Sequence, residues 1–163
     1  MRLLAATIVL VSMLAGQPCA VAQEDGAKPN EAELKKIEER HMKAAAKLQQ
    51  LYGHRVATLK AGGDGVFVCH VYFGKGDIMN PGLPLLKELF NVQTLYAATA
   101  RFDDKGENIE VLGELTELED LQVYFTGFGD NAAKAISELP KLRHLSVSST
   151  LITDEGVAEL GKL

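Results

Sequence analysis

One hydrophobic pattern recurs four times along this chain, at intervals of 24, 26 and 24 residues. Its clearest copy carries Leu139, Leu142, Leu145, Val147, Thr150, Ile152, Asp154, Gly156, Val157 and Leu160. The copy before it aligns Leu115, Leu118, Leu121, Val123, Thr126, Phe128, Asp130 and Ile136. Before that come Leu89, Val92, Leu95, Ala97, Phe102, Asp104, Gly106 and Leu112, with two extra residues between Gly106 and Leu112. The first copy is the weakest, with Val71, Phe73, Ile78, Asn80, Gly82, Leu83 and Leu86. A period of roughly 20 to 30 residues with this spacing constrains the chain to an array of stacked units. No unit of that length buries its own apolar face, so its neighbours must supply the core.

Within each copy the residue types predict a strand and a helical return. Side chains alternate along a strand, so Leu121 and Val123 point inward while Gln122 and Tyr124 point outward. The same holds for Val71/Phe73, Leu95/Ala97 and Leu145/Val147. Stacked in register, these strands form a parallel sheet covered on one face only. Ala133, Ile136 and Leu139 recur at helical spacing and predict the return over the covered face. Each fully buried Leu, Ile or Phe contributes roughly 1.5 to 3 kcal/mol, so stacking supplies the stability that one unit lacks.

The N-terminal part reads differently. Met1-Arg2 gives a basic start, Leu3 to Ala15 is apolar apart from Thr7 and Ser12, and Ala20-Val21-Ala22 offers small residues for cleavage. Residues 1–22 are therefore expected to be a secretory signal peptide, cleaved after Ala22, with a secreted or periplasmic product. The run is too short to span a bilayer comfortably, and no later segment is long and apolar enough to cross one. Polar residues 23–29 read as a linker. Asn30 with Glu33 marks a helix start, and Leu34, Ile37, His41, Ala45, Leu48 and Tyr52 define one face up to a stop at Gly53. His41 on that face is expected to pack rather than ligate, and His54 to be a cap or surface residue. Arg55 to Leu59 reads as a short strand, and Ala61-Gly62-Gly63-Asp64-Gly65 as a turn into Val66 to Phe73. Residues 30–65 thus form a helix and hairpin that cap the array at 66–163, whose fourth unit is incomplete. A phosphate loop at the glycines is disfavoured, since no Gly-Lys-Ser/Thr follows and no helix opens there.

Loss of residues 1–22 removes Arg2 from the 17 basic residues and leaves all 22 acidic ones. That moderate acidic excess, spread without long blocks, argues against nucleic acid or an anionic membrane as partner. Cys19 leaves too, so Cys69 has no internal disulfide partner and, within an apolar run, is expected to be a buried inert thiol. Asn80, Asp104, Asp130 and Asp154 share one position, nine residues after the first inward strand residue. A metal-binding or catalytic carboxylate row competes here with helix capping. Recurrence in every copy favours capping of the helix that follows each residue. No metal and no cofactor is implied.

The run from Leu145 to Val157, Leu-x-Val-x-x-Thr-x-Ile-Thr-Asp-x-Gly-Val, resembles the repeats of ribonuclease-inhibitor-like and cysteine-containing leucine-rich-repeat proteins. With its leader, first helix and glycine hairpin, the chain is similar to exported bacterial proteins of this superfamily, of the kind abundant in planctomycetes. The first copy departs from the pattern at Gly76 and Asn80, and the second at Ala97 and Ala100. The fold class expected is α/β: a leucine-rich-repeat solenoid, with a parallel sheet on the concave face, helices on the convex face and an N-terminal helix-hairpin cap. The resemblance implies binding rather than chemistry.

In this register the concave face presents His70, Tyr72 and Gly74; Thr94, Tyr96 and Ala98; Asp120, Gln122 and Tyr124; and His144, Ser146 and Ser148. Tyr72 and Tyr96 are expected to be ladder neighbours, with Tyr124 one strand over and two residues along. Exposed tyrosines suit recognition, because they bring large contact area at low entropic cost; they could equally pack together to shield the sheet. The partner-binding set is Tyr72, Tyr96, Gln122, Tyr124, His144 and Ser146, for a protein or peptide, with envelope glycan as a second ligand class. Asp120, His144 and Ser146 or Ser148 carry the residue types of acyl transfer, but they lack a nucleophile elbow and an oxyanion hole, so no enzyme is expected. A structural role is the alternative: a piece of a longer array, or a chain that pairs through an open C-terminal edge.

Overall fold

The first helix, α1 (Glu31–Tyr52), is built almost entirely of strong helix formers such as Ala, Leu, Glu, Lys and Gln. The computed structural model describes residues 31–163, apart from 55 and 62–66. The expected signal peptide, the linker, Asn30, Arg55 and the glycine turn at 62–65 lie outside the described residues. His41, Ala44 and Leu48 form the buried stripe of α1, with Ala45 and Tyr52 packed at its border. Burial centres on Ala44, one residue round from the predicted Ala45. The helix stops at Gly53, whose φ of 71° lets its amide reach the Gln49 carbonyl at 2.9 Å. His41 packs as expected, its Nδ1 accepting the Phe90 amide at 3.1 Å.

The strands are β1 (Ala57–Ala61), β2 (Phe67–Tyr72), β3 (Val92–Tyr96), β4 (Asp120–Gln122) and β5 (His144–Ser146). They lie in one sheet in sequence order. β1 runs antiparallel to β2, and every pairing from β2 to β5 is parallel. The chain is thus α/β with a five-stranded, mostly parallel sheet. The register aligns Val71, Leu95, Leu121 and Leu145 in one row, and Tyr72, Tyr96, Gln122 and Ser146 in the next. These rows follow from the spacing of the sequence pattern, because parallel strands in register place equivalent residues side by side.

The returns are less uniform than the strands. A 3-10 turn at Asn80–Gly82 leads into the short α2 (Leu83–Leu86), which packs against α1. The copy with two extra residues returns as a 3-10 helix (Ile109–Glu114) instead of an α-helix, entered through Asn108 in the left-handed region at φ 69°. There the backbones crowd: a Cβ on Gly113 would lie 2.4 Å from the Ala135 carbonyl. The last two copies form α3 (Asp130–Ile136) and α4 (Asp154–Leu160). Leu95, Leu121 and Ile136 are wholly shielded, whereas Leu145, Val147, Ile152 and Leu160 are only partly buried. Burial therefore fades toward β5. No helix among the described residues is long and apolar enough to cross a membrane.

Candidate binding face and the carboxylate row

The face of the sheet turned away from the core carries a continuous line of rings. His70, Tyr72, Tyr96, Tyr124 and Phe125 follow one another with centroid separations of 6.5, 5.9, 5.7 and 6.1 Å. Tyr72 and Tyr96 are ladder partners, as expected, and Tyr124 meets Tyr96 edge-on at 89°. The two hydroxyls of Tyr96 and Tyr124 are hydrogen-bonded, and that bond raises the Tyr124 pKa above its ordinary value. The tyrosines therefore do pack on one another, yet the line stays open at both ends. Tyr72 is 38% exposed and Phe125 is 63% exposed.

Phe125 is the residue that alternation misses. Two places beyond Val123, it should point inward, but its φ of 55° turns it out toward solvent beside Tyr124. Thr99 and Ser149 occupy the same place in the pattern and share this geometry, at φ 59° and 56°. Left-handed backbone is uncommon for any residue but glycine and is a clear outlier for a bulky one. A sequence signal existed: an aromatic stands where the other copies have Lys75, Thr99 and Ser149. Phe125 also walls an open groove of about 500 Å³ shared with Ile78, Arg101 and Phe102.

The polar residues of the face are arranged otherwise than acyl transfer requires. Asp120 is the ladder partner of His144, and Gln122 of Ser146. The Asp120 carboxylate, however, accepts both its side-chain bonds from Gln122 Nε2, at 3.1 and 3.2 Å. Among the described residues no hydrogen bond joins Asp120 to His144 or His144 to Ser146, so base, orienter and nucleophile are not linked. Away from this face, His54 pairs with the Asp77 carboxylate at 2.8 Å. Cys69 is buried, and burial pushes its thiol pKa up to about 12.

The recurring position of Asn80, Asp104, Asp130 and Asp154 corrects one expectation. None of them caps the helix that follows it; Asn80, Asp104 and Asp130 reach the next return along the sheet. Asp104 accepts the amides of Gly129, Asn131 and Ala132, at 2.9, 3.0 and 2.9 Å, at the start of α3. Asp130 accepts the Thr153 amide at 2.8 Å, the Thr153 hydroxyl at 2.7 Å and the Gly156 amide at 3.0 Å, at the start of α4. Bonds to Thr153 above all hold the Asp130 carboxyl below its ordinary pKa, against the opposing effect of desolvation. Asn80 plays the neutral version, accepting the Asp103 amide at 2.9 Å while donating to the Asp103 and Glu107 carbonyls. The reason is geometric: parallel stacking brings free amides of the neighbouring segment alongside Asn80, Asp104 and Asp130.

Glycine follows from the same contacts. A Cβ on Gly106 would lie 2.8 Å from Asn80 Nδ2, one on Gly129 2.7 Å from Asp104 Oδ2, and one on Gly156 2.3 Å from Asp130 Oδ1. At the N-terminal end Tyr52 takes the equivalent place against Gly82 and donates its hydroxyl to the Ile78 carbonyl at 2.8 Å. Burial, then the nearby Asp77 charge, push the Tyr52 pKa up to about 12. Asp154 is exposed at the other end and accepts no bond among the described residues. No group of three or more His, Cys, Asp or Glu among the described residues could hold a metal ion.

No protein-family model, curated protein or solved structure matches this chain.

Proposed function

We propose that the chain is an exported leucine-rich-repeat solenoid acting as a non-catalytic binding module, which takes a protein or peptide on its concave face. Tyr72, Tyr96, Gln122, Tyr124, His144 and Ser146 form the contact surface, with His70 and Phe125 added to it. The observation that carries this reading is Phe125: a large aromatic, 63% exposed, on left-handed backbone at φ 55°. The turn itself recurs from copy to copy and belongs to the fold; the exposed aromatic placed on it is particular to this copy. Thr99 and Ser149 have the same geometry without an aromatic, so the fold does not require one.

Five rings in line give a stiff platform that loses little entropy on binding, and aromatic anchors carry a large share of interface energy. The groove walled by Phe125 accepts an apolar side chain, while Gln122, His144 and Ser146 offer hydrogen-bond partners on the strands. Selection of a displayed peptide library on the full chain, alongside a panel of envelope glycans, tests the reading. Selected peptides should bind at least about tenfold more weakly once Tyr72→Ala and Tyr96→Ala are combined. Unchanged affinity contradicts a concave-face site, and capture of glycans alone replaces the ligand class.

A further inference from the structure

We propose that the ligand of the aromatic face presents an arginine side chain, whose guanidinium pairs with the Asp120 carboxylate while its stem lies along Tyr96. The inference rests on the proposed recognition of a protein or peptide by this face, and it names the chemistry that the face selects.

Charge is the first observation. Among the described residues at the outward positions of β2 to β5, Asp120 is the one carboxylate, and neither Lys nor Arg stands there. Asp120 joins none of the ion pairs among the described residues. Its side-chain bonds come from Gln122 Nε2, at 3.1 and 3.2 Å, a neutral donor that orients the carboxylate and leaves its charge unbalanced. β4 is flanked by β3 and β5, so this charge stands on the interior of the sheet and not at an edge. Complementary charge on a ligand is what such a position selects.

The second observation is the placing of the rings. Thr94, the ladder partner of Asp120, is followed two residues along β3 by Tyr96. Tyr96 therefore stands diagonal to Asp120, roughly 8 Å away at the backbone, within the span of one long side chain that crosses Thr94. Contacts with Tyr72 and Tyr124 hold the Tyr96 ring in place, and its hydroxyl is bonded to that of Tyr124. The face of a tyrosine ring is the negative end of its quadrupole and attracts a cation laid on it. Carboxylate and ring thus favour the same sign of ligand.

The kind of cation follows from the pairing of these two groups. A guanidinium is flat, stacks on an aromatic face and donates to a carboxylate in a fixed fork, whereas an ammonium is a strongly hydrated point charge. An acidic side chain at the same place is repelled by Asp120.

A displayed library of random peptides, selected on the full chain, is the test. Arginine should be enriched at one position of the selected sequences. In a synthetic peptide of the commonest sequence, citrulline in place of that arginine should weaken binding about tenfold, and lysine should recover only part of the loss. Asp120→Asn in the full chain should erase the difference between the arginine and citrulline peptides. This variant keeps an acceptor for Gln122, and an unchanged affinity for the citrulline peptide reads its intact face. Selected peptides that lack arginine, yet lose affinity when Tyr72→Ala and Tyr96→Ala are combined, would overturn the inference and leave recognition by the face standing. An arginine preference that persists in Asp120→Asn would overturn it as well. Failure to select any peptide would overturn both readings.

Discussion

The Oδ1 atom of Asp130 accepts the Gly156 amide at 3.0 Å, and a Cβ on Gly156 would come within 2.3 Å of that oxygen. Glycine at this helical position is therefore imposed by a side chain from the preceding strand–helix segment, not by the local backbone. The same logic ties Asp104 to Gly129 and Asn80 to Gly106. Each contact fastens one segment to the next, and those of Asp104 and Asp130 do so where helix amides would otherwise lack partners.

Gly156→Ala provides a test by sign. Alanine normally stabilises a helix interior by up to about 1 kcal/mol over glycine. Here the added methyl must displace the Asp130 carboxylate, so the variant should be less stable by about 1 to 3 kcal/mol, the range for overpacking. Urea denaturation of the two proteins measures this, and a stabilised variant would refute the contact.

The two ends of the carboxylate row should behave differently in the chain alone. Asp104→Ala orphans the amides of Gly129, Asn131 and Ala132 and should cost about 1 to 2 kcal/mol, as cap removal does. Asp154→Ala removes no bond among the described residues and should stay within about 0.5 kcal/mol of the native protein. Equal losses in denaturant melts would argue that these carboxylates act by charge alone.

Phe125→Gly should separate binding from stability. Glycine relieves the left-handed backbone, so stability should hold or rise by up to about 1 kcal/mol, while ligand affinity falls at least tenfold. Calorimetric melting with a titration of the selected ligand reads both. Loss of stability without loss of binding would make Phe125 a structural residue.

Acid should weaken the junction of α1 with the Phe90 segment. Burial lowers the His41 pKa below its ordinary 6.5, and neutral Nδ1 accepts the Phe90 amide. Below 6.5 the unfolded chain takes up a proton that folded His41 resists, so stability increases with pH there. The contribution is complete above that value and is lost as pH falls through and below it. His41→Gln keeps an acceptor without titrating and should flatten the stability profile between about pH 7 and pH 5. Asp130 works in a lower window: its depressed pKa gives stability present above 3.8 and lost as pH falls further.

Cys69 should be inert in the folded protein. Its thiol is buried and its pKa stands at about 12, so a disulfide reagent at about pH 8 should label it only after denaturant is added. Rapid labelling at Cys69 itself in the native chain, located by peptide mapping, would mean that the β1–β2 region opens readily.

The strand rows were legible because spacing of 24 to 26 residues and two-residue alternation leave only one register that turns Leu95, Leu121 and Leu145 toward the same face. The Tyr72–Tyr96 pairing was legible for the same reason, and the α1 stripe from its three- and four-residue spacing. Recurrence at Asn80, Asp104, Asp130 and Asp154 pointed to a structural role, but a one-dimensional pattern does not say which helix receives each side chain. The 3-10 return at Ile109–Glu114 lies against Ala135, a neighbour from the next segment that local spacing does not reveal. Phe125 escaped because alternation assumes strand geometry, and a single positive φ ends that geometry at Tyr124.

Recognition through the aromatic face is tested most directly by a photo-crosslinking residue at position 125, compared with one at Glu110 on an exposed return, in the native cell. The account predicts one discrete protein or peptide adduct from position 125, absent from position 110 and lost when Tyr96→Ala is combined with the probe. Equal adducts from both positions, or adducts indifferent to Tyr96→Ala, would contradict it.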